Sequence, residues 1–171
     1  MADTTAVPRY GILSEEMQDE RDQLIEMLTK AYWMEIETVM SYVANSINPD
    51  GVRAQEIIES LEEDIQEELG HARQFGERIK LLYGVVPGSS DFSAEQTYLQ
   101  PPEHQTDIVH VIKGVIEAES GAIEHYNQII EFCEGKDPVT QDMVIGILQD
   151  EEGHRRLFEG FLREYKAEGK A

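Results

Sequence analysis

Glu68-Leu69-Gly70-His71-Ala72-Arg73-Gln74-Phe75 and Glu151-Glu152-Gly153-His154-Arg155-Arg156-Leu157-Phe158 are two copies of one pattern, E-x-G-H-x-R-x-F, set 83 positions apart. On a helix, residues i and i+3 share a face, so each Glu and its His reach toward the same point in space. Carboxylate and imidazole together are metal ligands, and two such pairs point to two metals. The repeat extends upstream: Glu35 precedes Tyr42 by seven residues, as Glu119 precedes Tyr126, at an offset of 84. A polar repeat at nearly constant offset describes a duplicated helix pair folded about a pseudo-two-fold axis.

Four segments with apolar residues at helical spacing would position these groups, and no segment alternates with a period of two. The expected fold is all-α. The first helix should run from about Glu15 to Ile47, where Asn48-Pro49-Asp50-Gly51 stops it. The second carries Ile58, Leu61, Ile65, Ala72, Phe75, Ile79 and Leu82 and ends near Gly84. The short link between them implies antiparallel neighbours. From Gly84 to about Gln105 the composition turns to Gly, Pro, Ser and scattered aromatics, which reads as one long crossover between helices 2 and 3. The third helix spans about Thr106 to Glu134, and Asp137-Pro138 places an N-cap acceptor and an N1 proline at the head of the fourth. The organisation expected is a flexible arm over residues 1–14 and one bundle over 15–168.

On these helices Glu68 falls on the seam between Ile65 and Phe75, Glu151 between Ile147 and Phe158, and Glu119 between Ile116 and Ile123. Glu35 lies in line with Leu28, Ala31, Val39 and Tyr42. Each helix therefore turns one carboxylate toward the core. Burying an unpaired carboxylate costs several kcal/mol, so four together require protons or cations to neutralise them.

The bulk composition agrees with cations as clients. The chain has 171 residues, enough for one domain with a substantial core, and 35 acidic against 14 basic residues give a formal net charge of −21. That balance argues against nucleic acid, whose phosphates need clustered Lys and Arg. Cys133 is the one cysteine, which excludes an intrachain disulfide. Neither a signal peptide nor a membrane-spanning apolar run is legible. The expected location is the cytoplasm.

These motifs resemble the ferritin-like di-iron carboxylate family, whose bundles offer Glu, E-x-x-H, Glu and E-x-x-H from four helices. The resemblance covers the first helix through the fourth. It is nearest to bacterioferritin and the archaeal Dps-like ferritins, through Glu35 to Tyr42, Glu68 to Ala72, Val115 to Glu119, and Asp142 to His154. It implies a ferritin-like four-helix bundle and a metal centre of Glu35, Glu68, His71, Glu119, Glu151 and His154, with Glu68 and Glu151 bridging. Glu37 and Glu117 are the alternative ligands on helices 1 and 3. Glu67 and Asp150 would hold the ligand histidines by their free ring nitrogens. Tyr42 and Tyr126 would serve near the metals as hydrogen-bond donors or electron sources.

The activity implied is that of a ferroxidase, oxidising Fe(II) with O2 or H2O2 for iron storage and detoxification, with two Fe ions and manganese as the alternative metal. A rubrerythrin-like peroxidase fed by an external electron donor, or a non-catalytic iron-binding protein, are the competing functions. Leu69 stands where bacterioferritin has its haem-ligating methionine, so haem is not expected, and Gly121 stands where thioferritins carry a cysteine. Seventeen residues follow His154, too few for a fifth helix. A homo-oligomer between a dimer and a 12-subunit cage is the expected assembly. Gly70 and Gly153 are expected to let helices approach closely.

Overall fold

A computed structural model describes residues 10–171 as four long helices, with no strand among them. These are α1 (Gln18–Ile47), α2 (Ala54–Leu81), α3 (Ile108–Cys133) and α4 (Pro138–Ala167). α1 packs along α2 and α3 along α4, and α1 also meets α3. The link from α2 to α3 is the long crossover, with 3-10 turns at Ser89–Asp91 and Thr97–Leu99. The bundle begins earlier than residue 15. Gly11–Leu13 form a 3-10 turn that buries Ile12, and the buried Arg21 guanidinium donates to the carbonyls of Ile12 (3.0 Å) and Ser14 (2.9 Å). Residues 1–9 of the expected arm lie outside the described residues.

A layer of buried carboxylates divides the core in two. One apolar cluster includes Leu24, Leu28, Phe75, Ile79, Ile129 and Val144; the other includes Ile57, Leu61, Val111, Ile112, Val115 and Phe158. The third-helix seam is rotated by about one position from the line through Ile116, Glu119 and Ile123. Val111, Val115, Ala122 and Ile129 are buried beside Ile112 and Tyr126, while Val109, Ile116, Ile123 and Ile130 are half-buried at the margin of the core.

The crossover is fixed by polar clasps. The Glu37 carboxylate accepts from the backbone N–H groups of Glu95 (2.8 and 3.0 Å) and Gln96 (2.7 Å), and the Gln96 amide donates to Thr38 (2.9 Å). Gly114 makes the close approach possible, because a Cβ there would lie 2.7 Å from the Tyr98 carbonyl oxygen. Gly70 and Gly153 do no such work: nothing lies within 4 Å of a Cβ built at either, so the close approach expected there is not made.

At the far end Asp137 caps α4, accepting from Val139 N–H (3.2 Å) and Thr140 N–H (3.1 Å), and also receives Arg78 of α2 at 2.9 and 2.8 Å. Both side chains are buried. Burial opposes ionisation of Asp137, but Thr140 and Arg78 outweigh it and hold its pKa below the usual carboxylate value. Arg78→Ala leaves that charge uncompensated and should destabilise the protein by about 3–5 kcal/mol, read as a lowered urea midpoint without change of slope.

Candidate metal centre

The six side chains expected at the site converge in the carboxylate layer, all buried. They form two overlapping groups, Glu35–Glu68–His71–Glu151 and Glu68–Glu119–Glu151–His154, in each of which one ligand atom per residue lies within 4.8 Å of the others. Glu68 and Glu151 belong to both. His71 Nδ1 stands 3.3 Å from Glu68 Oε2, 3.1 Å from Glu151 Oε1 and 3.9 Å from Glu35 Oε1. His154 Nδ1 repeats this arrangement at 3.5 Å from Glu151 Oε2, 3.3 Å from Glu68 Oε1 and 4.0 Å from Glu119 Oε1. Each shared carboxylate thus turns one oxygen to each half.

The surrounding bonds cross between helices. The far nitrogen of His71, Nε2, meets Asp150 at 3.2 Å, and that of His154 meets Glu67 at 2.9 Å. A proton on Nε2, held by a carboxylate, leaves the Nδ1 lone pair aimed inward, which is the tautomer a metal ligand needs. Tyr42 of α1 donates to Glu119 of α3, and Tyr126 of α3 donates to Glu35 of α1. The tyrosines therefore orient the two unshared carboxylates. Of the alternative ligands, Glu37 spends its carboxylate on the crossover and Glu117 is exposed, so neither enters the cluster.

Burial and the mutual fields of these groups shift their pKa values in opposite directions. Burial, then the neighbouring Glu68 and Glu151, push Glu35 well above the ordinary carboxyl range. Burial, then Glu151 and Glu68, do the same to Glu119. Burial also works against ionised Glu68 and Glu151, but the adjoining imidazoles outweigh it, lowering Glu68 and bringing Glu151 to about 2. Burial likewise opposes charging the histidines, yet the carboxylates around them raise His71 to about 10 and His154 to about 12. Burial and facing carboxylates hold both tyrosine hydroxyls protonated, Tyr42 by Glu119 and Tyr126 by Glu35.

Several atoms of the cluster remain unsatisfied. Glu68 Oε1, both Glu151 oxygens and His154 Nδ1 are buried without a hydrogen-bond partner among the described residues. Buried polar atoms of this kind are rare in proteins and here share one centre, so the donor set fits divalent cations that accept oxygen and imidazole ligands.

One buried carboxylate absent from the expected set also borders the centre. Asp64 Oδ1 lies 3.6 Å from His154 Nε2, and burial raises the Asp64 pKa to about 7. Its sequence signal was available: it precedes Glu68 by four residues, on the same helix face, where the second copy of the repeat has Ile147.

Residues 25–167 match the ferritin-like domain family. The chain belongs to that family. Among ferritin-like relatives, the DNA protection during starvation protein of Pyrococcus furiosus is 32% identical over 146 residues, spanning 82% of this chain and 77% of that protein. Bacterioferritin of Desulfovibrio desulfuricans is 26% identical over 143 residues, 83% of this chain and 75% of the relative. The crystal structure of that bacterioferritin, whose diiron site has been captured in different catalytic states, superimposes with a TM-score of 0.75 at 23% identity, covering 88% of this chain and 84% of that one. The dodecameric thioferritin of Bacteroides fragilis, a bacterioferritin-related protein, gives 0.75 at 24% identity, covering 88% and 90%. These likenesses establish the ferritin-like bundle with its single long crossover. Among the described residues of this ferritin-like chain, no helix is long and apolar enough to cross a membrane.

Proposed function

We propose that this ferritin-like protein is a di-iron ferroxidase, oxidising Fe(II) with O2 or H2O2 in iron storage and detoxification. The observation that carries the reading is the pair of overlapping four-residue groups sharing Glu68 and Glu151. Glu35, Glu68, His71 and Glu151 would hold one iron, and Glu68, Glu119, Glu151 and His154 the other. Two Fe(II) supply two electrons. With two protons these reduce O2 to H2O2, or H2O2 to two waters, leaving two Fe(III).

The protein's own groups prepare the centre for that exchange. Asp150 and Glu67 fix the imidazole tautomers, and Tyr126 and Tyr42 hold Glu35 and Glu119 in place from the opposite helix. The apolar clusters on either side limit access of water. Oxygen and imidazole ligands suit iron, with manganese the competing metal. Leu69 is half exposed and has no atom able to ligate haem iron.

The likeness to a dodecameric relative supports a homo-oligomer, as do the exposed Met40, Val43 and Ile47 of α1 and Leu69 and Leu81 of α2. DNA protection, named for the Pyrococcus relative, is not part of this reading, because a net charge of −21 repels a polyanion. The location proposed is the cytoplasm.

Aerobic titration of metal-free protein with Fe(II), following Fe(III) absorbance and mass together, tests the activity. Rapid oxidation that saturates at two irons per chain and then continues into bulk uptake is the expected result for storage. Saturation at two with no further uptake supports a peroxidase with an external electron donor. Binding of two without oxidation leaves an iron-binding protein, and oxidation no faster than in buffer overturns the ferroxidase.

A further inference from the structure

The internal repeat makes the centre nearly symmetric, and the departures lie behind the histidines, where Glu67 stands opposite Asp150 and the buried Asp64 opposite Ile147. Glu35 and Glu119, Tyr126 and Tyr42, Glu68 and Glu151, and His71 and His154 occupy matching places, with matching contacts in the two halves. The carboxylates behind the histidines do not match. Among the described residues His71 Nε2 faces one carboxylate, Asp150 at 3.2 Å, whereas His154 Nε2 faces two, Glu67 at 2.9 Å and Asp64 at 3.6 Å.

Asp64 is 6% exposed, and its Oδ2 has no hydrogen-bond partner among the described residues. A buried carboxylate left unsatisfied works against folding. At the equivalent place in the other half, Ile147 is 2% exposed and packs into the apolar core. The equivalent place in the other half is thus filled by an aliphatic side chain, so the repeat itself does not call for an aspartate there.

We infer that Asp64 is a positioning residue that makes the two metal positions unequal, so that the position built on His154 fills first and more tightly. This rests on the two-metal reading above. Asp64 Oδ1, 3.6 Å from His154 Nε2 and beyond hydrogen-bond distance, places a second carboxylate beside one position but not the other, and a cation bound there favours its ionised, negatively charged form. Removing an outer partner of a metal-ligating histidine typically costs about 10–100-fold in metal affinity. Asp64 thus sets an order of filling that the repeated ligands cannot set by themselves.

Co(II) provides a test independent of iron oxidation. Mutual repulsion of two cations separates the binding steps of any such pair, so the discriminating observation is which step each variant moves. Calorimetric titration at fixed pH, paired with anomalous diffraction from crystals given one Co(II) per chain, reads both. In the unaltered protein the single ion should concentrate beside His154. Asp64→Asn and Asp64→Ile should weaken the first step on the order of tenfold and spread the single ion over both positions. Asp64→Glu should restore the preference. Asp150→Asn, which removes the carboxylate behind His71, should instead weaken the second step and leave the first.

Equal occupancy in the unaltered protein overturns the inference, as does Asp64→Asn weakening both steps equally or neither. Failure to bind two Co(II) per chain at all overturns the two-metal reading itself, so the two failures are distinguishable.

Discussion

Glu68→Ala should slow Fe(II) oxidation by at least about 100-fold while leaving a helical protein, an effect beyond the loss of a single outer partner. Glu68 supplies an oxygen to each half of the centre, at 3.3 Å from both His71 Nδ1 and His154 Nδ1. Its removal therefore damages both metal positions together, whereas loss of Glu35 or Glu119 reaches only one. The helix should survive, because Ala has high helix propensity and Leu61, Ala72, Phe75 and Ile79 still bury the α2 seam. Stopped-flow absorbance of Fe(III), with far-ultraviolet circular dichroism on the same samples, separates loss of the site from loss of the fold. Glu117→Ala serves as the control, since that side chain is exposed and outside the cluster, and its rate should match the unaltered protein. Full activity in Glu68→Ala would remove this carboxylate from the mechanism.

Loading the centre with two divalent cations at pH 7 should release at least about two protons per chain. With no cation bound, His71 and His154 are imidazolium, with pKa values of about 10 and 12, and Glu35 and Glu119 are raised well above the ordinary carboxyl value by burial and by their carboxylate neighbours. Both imidazolium groups must give up a proton to become ligands, and the raised Glu35 and Glu119 add to the release. The metal affinity of the pair should accordingly fall steeply as pH is lowered, with a slope of at least about two in log K per pH unit. Titration with Zn(II) in buffers of different ionisation enthalpy counts the protons directly; release of fewer than about two would show that the centre is already deprotonated.

The same shifts set the stability of the metal-free protein. The raised histidine pKa values stabilise the fold fully below about 6.5, and this is lost as pH rises through about 10 and 12. Glu35 and Glu119 keep protons in the folded state that the unfolded chain releases, so their effect is also a loss of stability with rising pH. Glu151, lowered to about 2, acts oppositely: its stabilisation is present above the unfolded value and is lost as pH falls toward 2. Thermal scans with chelator should therefore show a maximum at roughly pH 4–6, and the added stability from bound metal should grow toward alkaline pH.

Within a single helix, spacing determines which side chains share a face, and the ligand spacings agree with the structure. Glu68 with His71, Glu151 with His154, and the inward turn of Glu35 and Glu119 follow from the 3.6-residue period and the apolar residues on either side. The cap at Asp137 and the stop after Ile47 are equally local. The acidic balance, the duplicated motif and the long crossover were legible for the same reason, since each is a property of the chain's order and composition.

What depended on how one helix is turned and raised against another was decided by the tertiary structure. The pairing of Glu67 with His154 and of Asp150 with His71, and the crossed tyrosine bonds, join residues on different helices. The one-position rotation of the α3 seam and the engagement of Glu37 by the crossover are likewise set by packing between elements. Periodicity fixes angles about one helix axis but contains no information on relative rotation, rise or the path of a connecting segment. Those are set where buried side chains from all four helices meet, and there Asp64 came to lie behind one histidine while Ile147 joined the apolar core of the other half.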